Sequence, residues 1–212
     1  MLIGLAVLAA VVAAVDWWAV ATDRHRVEMV AKPATMIALL AVLVALDGVP
    51  GSVRTWLVIG AVLGLLGDVA LLGDGESAFM AGLGSFALGH LAYVGAALTV
   101  GFDPAWAVPG VVFGIALLGY RFLPRTLPGA RAAGGDVLAG AVIFYALVIT
   151  TMAVTAWATG APIAAVGAML FAVSDWVLGH RRFVGPLPGG RLAVMVPYHV
   201  GQALLVVGLA TA

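Results

Sequence analysis

Three ionisable side chains stand in the middle of apolar sequence: Asp68 in LLGDVALLG, His90 in ALGHLAYVG and Asp175 in FAVSDWVLG. A charged group in hydrocarbon costs about 2.5 to 3.5 kcal/mol even on a lenient insertion scale, so by default such residues face a bundle interior and have a functional role. Two carboxyl groups in apolar surroundings suit general acid–base chemistry, because a carboxyl kept protonated can donate a proton while its partner stabilises the cation that results. The competing reading is packing, with the carboxylates salt-bridged to Lys32, Arg181 or Arg182. Both aspartates are expected in the last turns of their helices, where the helix dipole disfavours an anion, and this favours function over packing.

Around these three lie further candidates. Lys32-Pro33 reads as the start of the second helix, since proline is preorganised for a first turn. Free N–H groups beside a cation make a phosphate site, against the ordinary alternative of a lysine reaching for the interface. His90 and Tyr93 share a helix face, as do Tyr198 and Gln202. Singly, each is an interhelical hydrogen bonder; together, Tyr93, Tyr198 and Gln202 are expected to contact substrate, with Tyr145 and Asp136 as weaker candidates. Pro197 should kink the last helix beside Tyr198. His180 lies about 140° around its helix from Asp175 and belongs with the interfacial arginines, while Asp74 and Glu76 read as solvated loop charges. Zinc is not expected, because no HExxH or HxxxH pair sets His90, His180 or His199 beside a second ligand. The chain has no cysteine, which excludes disulfides and thiolate chemistry. Neither a GxSxG elbow nor a phosphate-cradling glycine loop is present, and no cofactor is expected.

The elements that position these groups are membrane helices. Hydrophobic residues make up 64% of the chain and charged residues 9%, and mean hydropathy is +1.16; no water-soluble surface can be built from that mixture. A spanning helix needs about 20 apolar residues, and the runs fall at 2–20, 33–49, 54–73, 78–100, 105–123, 136–157, 160–179 and 191–210. The fold class expected is therefore all-α: a polytopic membrane protein of eight transmembrane helices in one bundle domain, 1–212. The first run has no basic residue before it and reads as a retained anchor. Of ten basic residues, all but Arg54 fall in or beside the loops after helices 1, 5 and 7, which places those loops in the cytoplasm and both termini outside. The cell (inner) membrane is the expected location. On this topology Lys32, Asp68, Asp175 and Tyr198 all lie near the cytoplasmic face, and His90 forms the floor below them. GDVALLG at 67–73 and SDWVLGH at 174–180 suggest a parallel four-plus-four repeat with the site between halves. A formal net charge of zero gives no pull toward nucleic acid, and oligomeric state is left open.

The ordered set AKPATM at 31–36, LLGDVALL at 65–72, FxxGLxxFxxGHxxY from Phe79 to Tyr93, FAVSDWVLG at 171–179 and YHVGQ at 198–202 resembles the YhhN family, which includes the transmembrane 86 proteins known as lysoplasmalogenases. The resemblance spans helices 2 to 8 and implies a membrane hydrolase that cleaves the vinyl ether bond of a lysoplasmalogen, a lysophospholipid, releasing a fatty aldehyde and a glycerophospho-ethanolamine or -choline. Its characteristic residues fall here on Lys32, Asp68, His90, Tyr93, Asp175, Tyr198 and Gln202. At His199 the family usually has a second tyrosine. The roles this implies are Asp68 or Asp175 as acid, the other as oxocarbenium stabiliser and water base, and Lys32 on the phosphate. The alternative from another class is a small-molecule or lipid transporter or binding protein using the same polar pocket without bond cleavage.

Overall fold

A computed structural model describes the backbone of residues 1–212 and every side chain except that of Arg121. The helices are α1 (Leu2–Ala21), α2 (His25–Ala45), α3 (Gly51–Ala70), α4 (Glu76–Val100), α5 (Pro104–Leu117), α6 (Leu127–Ala158), α7 (Pro162–Phe183) and α8 (Gly190–Ala210), with a π-helical segment, Leu118–Thr126, between α5 and α6. No strand occurs among the described residues, as the all-α expectation requires. Backbone groups in lipid must be satisfied within each segment, and helices achieve this. Large apolar side chains such as Val7 and Ile115 point outward, where a bilayer would solvate them.

Seven helical stretches are long and apolar enough to cross a membrane, against the eight runs read from sequence. The difference lies at Pro104–Ala158, which forms one 55-residue helical stretch. It is not straight. Gly134 and Gly135 depart from helical geometry, with φ +65° at Gly135, a conformation that only glycine adopts without strain. A methyl added to Gly110 would fall 2.8 Å from Val154, and one on Gly114 would fall 2.5 Å from Thr150. Sequence numbers rise along one leg as they fall along the other, so α5 and the second part of α6 pack antiparallel.

Two boundaries correct the sequence reading. The second helix begins at His25, so Lys32 and Pro33 lie inside it and not at its start. A proline inside a membrane helix is tolerated where neighbouring helices re-satisfy the freed carbonyl. Helix α7 continues to Phe183, which leaves Asp175 about two turns from the helix end. Asp136 follows the Gly134–Gly135 break and pairs with Arg131 at 2.9 Å on the surface.

Small residues let helices approach closely, the usual device where hydrophobicity cannot drive association. The α3–α4 and α7–α8 pairs are the most extensive. Between α7 and α8 a methyl added to Gly167 would fall 2.2 Å from the Leu205 nitrogen, and one on Gly208 would fall 2.3 Å from the Ala164 nitrogen. Ser174 also donates to the Val194 carbonyl at 2.8 Å. The core between the pairs is built from Met36, Leu57, Tyr93, Met152, Phe171 and Leu205.

Candidate active site

Asp175 projects from α7 toward α4 and α6. The Tyr145 hydroxyl, from α6, donates a hydrogen bond to its Oδ2. His90 Nε2, from α4, stands 3.9 Å from the same oxygen, too far for a hydrogen bond. The imidazole is wedged against Phe171, centroid to centroid 4.7 Å, and has no hydrogen-bond partner among the described residues. Asp175 keeps 11% side-chain exposure because it lines a cleft. That cleft, about 710 Å³, runs between α3–α4, α5, the π-helical segment, α6 and α7; its wall is mostly apolar, including Leu83, Phe122, Val142 and Ile149.

Asp68 is held differently. Lys32 Nζ lies 3.1 Å from its Oδ1, and the Tyr198 hydroxyl donates to Oδ2 at 2.6 Å. Its side chain is 1% exposed and lines neither cleft. The two aspartates thus have separate partners and do not share one pocket wall as the sequence reading expected. Aromatic rings lie between them: Phe171 packs edge-on against both His90 and Tyr198, and Phe86 packs against Phe171 and Tyr198. His90 adjoins Asp175 alone and is not a floor beneath both.

Tyr93 and Gln202 find one another. The Gln202 amide donates to the Tyr93 hydroxyl, both side chains are buried, and neither lines a cleft. They join α4 to α8, where sequence spacing assigned them to substrate. Tyr198 likewise serves Asp68.

A second cleft, about 1080 Å³, opens at the protein surface and is lined by His25, Glu28, Lys32, Arg181, Arg182 and Arg191, among others. Leu71, Phe79 and Leu178 border both clefts, so the two adjoin. Arg182 stands over the Phe79 ring at 5.0 Å, at this junction, and Arg191 is anchored by Asp23 and Glu28. Sequence reasoning used these arginines as orientation signals and took Arg181 and Arg182 as possible salt-bridge partners of the aspartates, not as the lining of a cleft. Their clustering with Lys32 comes from α2 packing beside α8, which packs in turn on α7, and no local pattern reveals this.

One buried acid was missed altogether. Asp16 of α1 is fully buried, with neither oxygen hydrogen-bonded among the described residues. Its Oδ2 lies 3.9 Å from His199 Nδ1, which accepts from Trp17 Nε1 at 3.1 Å. The sequence cue was a single charge in VDWW near the end of an apolar run. No group of three or more His, Cys, Asp or Glu residues arranged to hold a metal ion occurs among the described residues.

Residues 27–209 match the YhhN family. The chain belongs to that family. The mouse protein named lysoplasmalogenase TMEM86B is 34% identical over 158 residues, covering 74% of this chain and 65% of the mouse protein. Bovine lysoplasmalogenase TMEM86A is 29% identical over 155 residues, covering 71% and 63%. A lysoplasmalogenase of Mycobacterium tuberculosis is 32% identical over 195 residues, covering 87% and 71%. The chain therefore spans a little under two thirds of the mammalian relatives it matches. No solved structure matches. Lys32, Asp68, His90, Asp175 and Tyr198 all fall inside the YhhN match, whereas Asp16 and Trp17 precede it.

Proposed function

We propose that this integral membrane protein hydrolyses the vinyl ether bond of a single-chain glycerophospholipid, giving a fatty aldehyde and a glycerophospho-ethanolamine or -choline. The observation that carries this reading is a basic surface cleft lying against an apolar cleft with one carboxyl in its wall, Leu71, Phe79 and Leu178 bordering both. Similarity to proteins named lysoplasmalogenase points to the same reaction. The headgroup phosphate sits among Arg181, Arg182, Arg191 and Lys32, and the chain runs past Phe79 into the apolar cleft.

Asp175 is the acid. Its proton goes to the vinyl carbon beyond the ether-bearing one, and the ether oxygen stabilises the oxocarbenium ion formed. The carboxylate left behind faces that cation and then takes a proton from the water that adds to it. The hemiacetal collapses, breaking the bond between its carbon and the glycerol oxygen; the alcohol regains a proton and the aldehyde leaves. Tyr145 fixes the carboxyl through Oδ2, and His90 borders the same oxygen. Asp68 holds Lys32 in place and does not meet substrate. This divides the roles that sequence reading gave to the two aspartates jointly.

Eight crossings, with α5 and the second part of α6 as separate legs, fit the antiparallel packing at Gly110 and Gly114. With the basic cleft on the cytoplasmic side, both termini lie outside. The test is direct. Purified protein given an alkenyl lysophospholipid in heavy water should release aldehyde carrying one deuterium on the carbon next to the carbonyl, and the saturated ether analogue should be inert. Binding of both lipids with no aldehyde from either would replace hydrolysis by a transport or carrier role.

A further inference from the structure

The apolar cleft contains a polar notch that the mechanism above does not use. Thr126, at the end of the π-helical segment, is 2% exposed, and its Oγ1 has no hydrogen-bond partner among the described residues. Trp176 Nε1, on α7 beside Asp175, is buried and also without a partner. Both residues line the cleft. A buried donor left unpaired costs about 1 to 3 kcal/mol. Thr126 on the π-helical segment and Trp176 on α7 approach the cleft from different elements and ask for a ligand atom between them, while a third unpaired group of the lining, Thr150 Oγ1, lies away from them against Gly114 of α5.

Their place along the cleft indicates which atom. A methyl built on Gly179 would come within 3.5 Å of Thr126 Cγ2, so Thr126 sits opposite Gly179, one residue past Leu178 at the junction with the basic cleft. Trp176 packs toward the same end, its ring 5.8 Å from that of His180. Asp175 lies about 6 Å deeper along α7 than Gly179. In a lysolipid whose phosphate is at the arginines and whose vinyl ether is at Asp175, the group between them is the glycerol C2 hydroxyl.

We infer that Thr126, with Trp176, forms a subsite for the free C2 hydroxyl of the lysolipid, and that this contact sets the depth at which the vinyl ether meets Asp175. The assignment rests on the hydrolase reading. A hydroxyl both donates and accepts: it accepts from Trp176 Nε1 and exchanges a second hydrogen bond with Thr126 Oγ1. An esterified C2 oxygen cannot donate, and its acyl chain would collide with this wall.

The experiment compares aldehyde release from an alkenyl glycerophosphoethanolamine with that from its 2-deoxy analogue. Wild-type protein should lose about tenfold or more in kcat/KM on the deoxy substrate. Thr126→Val, which keeps the shape, should suffer that loss on the hydroxylated substrate and discriminate little between the two. Thr126→Ser should restore discrimination, and Trp176→Phe should weaken it. A Thr126→Val protein that discriminates as well as wild type overturns the subsite, as does a wild type indifferent to the hydroxyl. If wild type releases aldehyde from neither substrate, the hydrolase reading falls and the subsite falls with it.

Discussion

Asp68 and Asp175 are two aspartates in apolar helices with opposite surroundings. Asp68 has a lysine at 3.1 Å and a tyrosine at 2.6 Å, and it lines neither cleft. Asp175 has a tyrosine, a histidine at 3.9 Å, no cation in contact among the described residues, and an open apolar cleft. Burial alone therefore does not mark a reacting carboxyl. An aspartate paired with a buried cation holds structure together. One left without a counter-charge at a cavity wall is free to exchange a proton with what enters.

The largest effect should come from breaking the reactive member. Asp175→Asn should lower kcat by about 10² to 10⁴-fold, the range for losing a general acid, with thermal unfolding unchanged. Retained turnover would erase the distinction drawn between the two sites. Asp68→Asn should do the reverse: it strands a buried lysine, a loss of about 3 to 5 kcal/mol seen as a lowered Tm, while protein that stays folded keeps its chemical step. Adding Lys32→Met should recover much of that stability, because both charges then leave together. An additive double mutant would deny that the two residues act as a pair. The smallest effect is expected at the shared rim, where Arg182→Gln should raise KM about tenfold with kcat little changed. A fall in kcat alone would move Arg182 from headgroup binding to the chemical step.

The spans were legible because hydropathy periodicity is a local property, and Asp175 and His90 were legible because a polar residue in such a run is conspicuous. Lys32 illustrates the limit. Lysine before proline has the local look of a helix start, yet α2 runs through it, since in a bundle neighbouring helices decide whether a proline ends a helix. Lys32 stood in the sequence only as one of three cations that could pair with either aspartate; that it takes Asp68, and that Tyr93 takes Gln202, depends on which helices adjoin, and spacing along one helix cannot report that. The basic cleft was hidden for a related reason: arginines that fix topology and arginines that bind a phosphate look the same in sequence. Asp16 escaped because a charge near the end of a run reads as a flank. The chain reversal between α5 and α6 turned on Gly134–Gly135, a pair that resembles ordinary small-residue sequence until its φ angle is seen.

The glycine contacts between α7 and α8 bear on what a lipid meets in the cleft. With a backbone nitrogen of one helix where a side chain of the other would begin, at Gly167 and again at Gly208, the two helices cannot slide or tilt apart without losing their fit, and they behave as a single plate. Asp175 and Trp176 ride on that plate. The opposite wall is built differently: the π-helical segment carries Phe122 and Thr126 on a backbone off regular α geometry. A lysolipid lying in the cleft would therefore meet Asp175 on a wall whose position the glycine contacts fix.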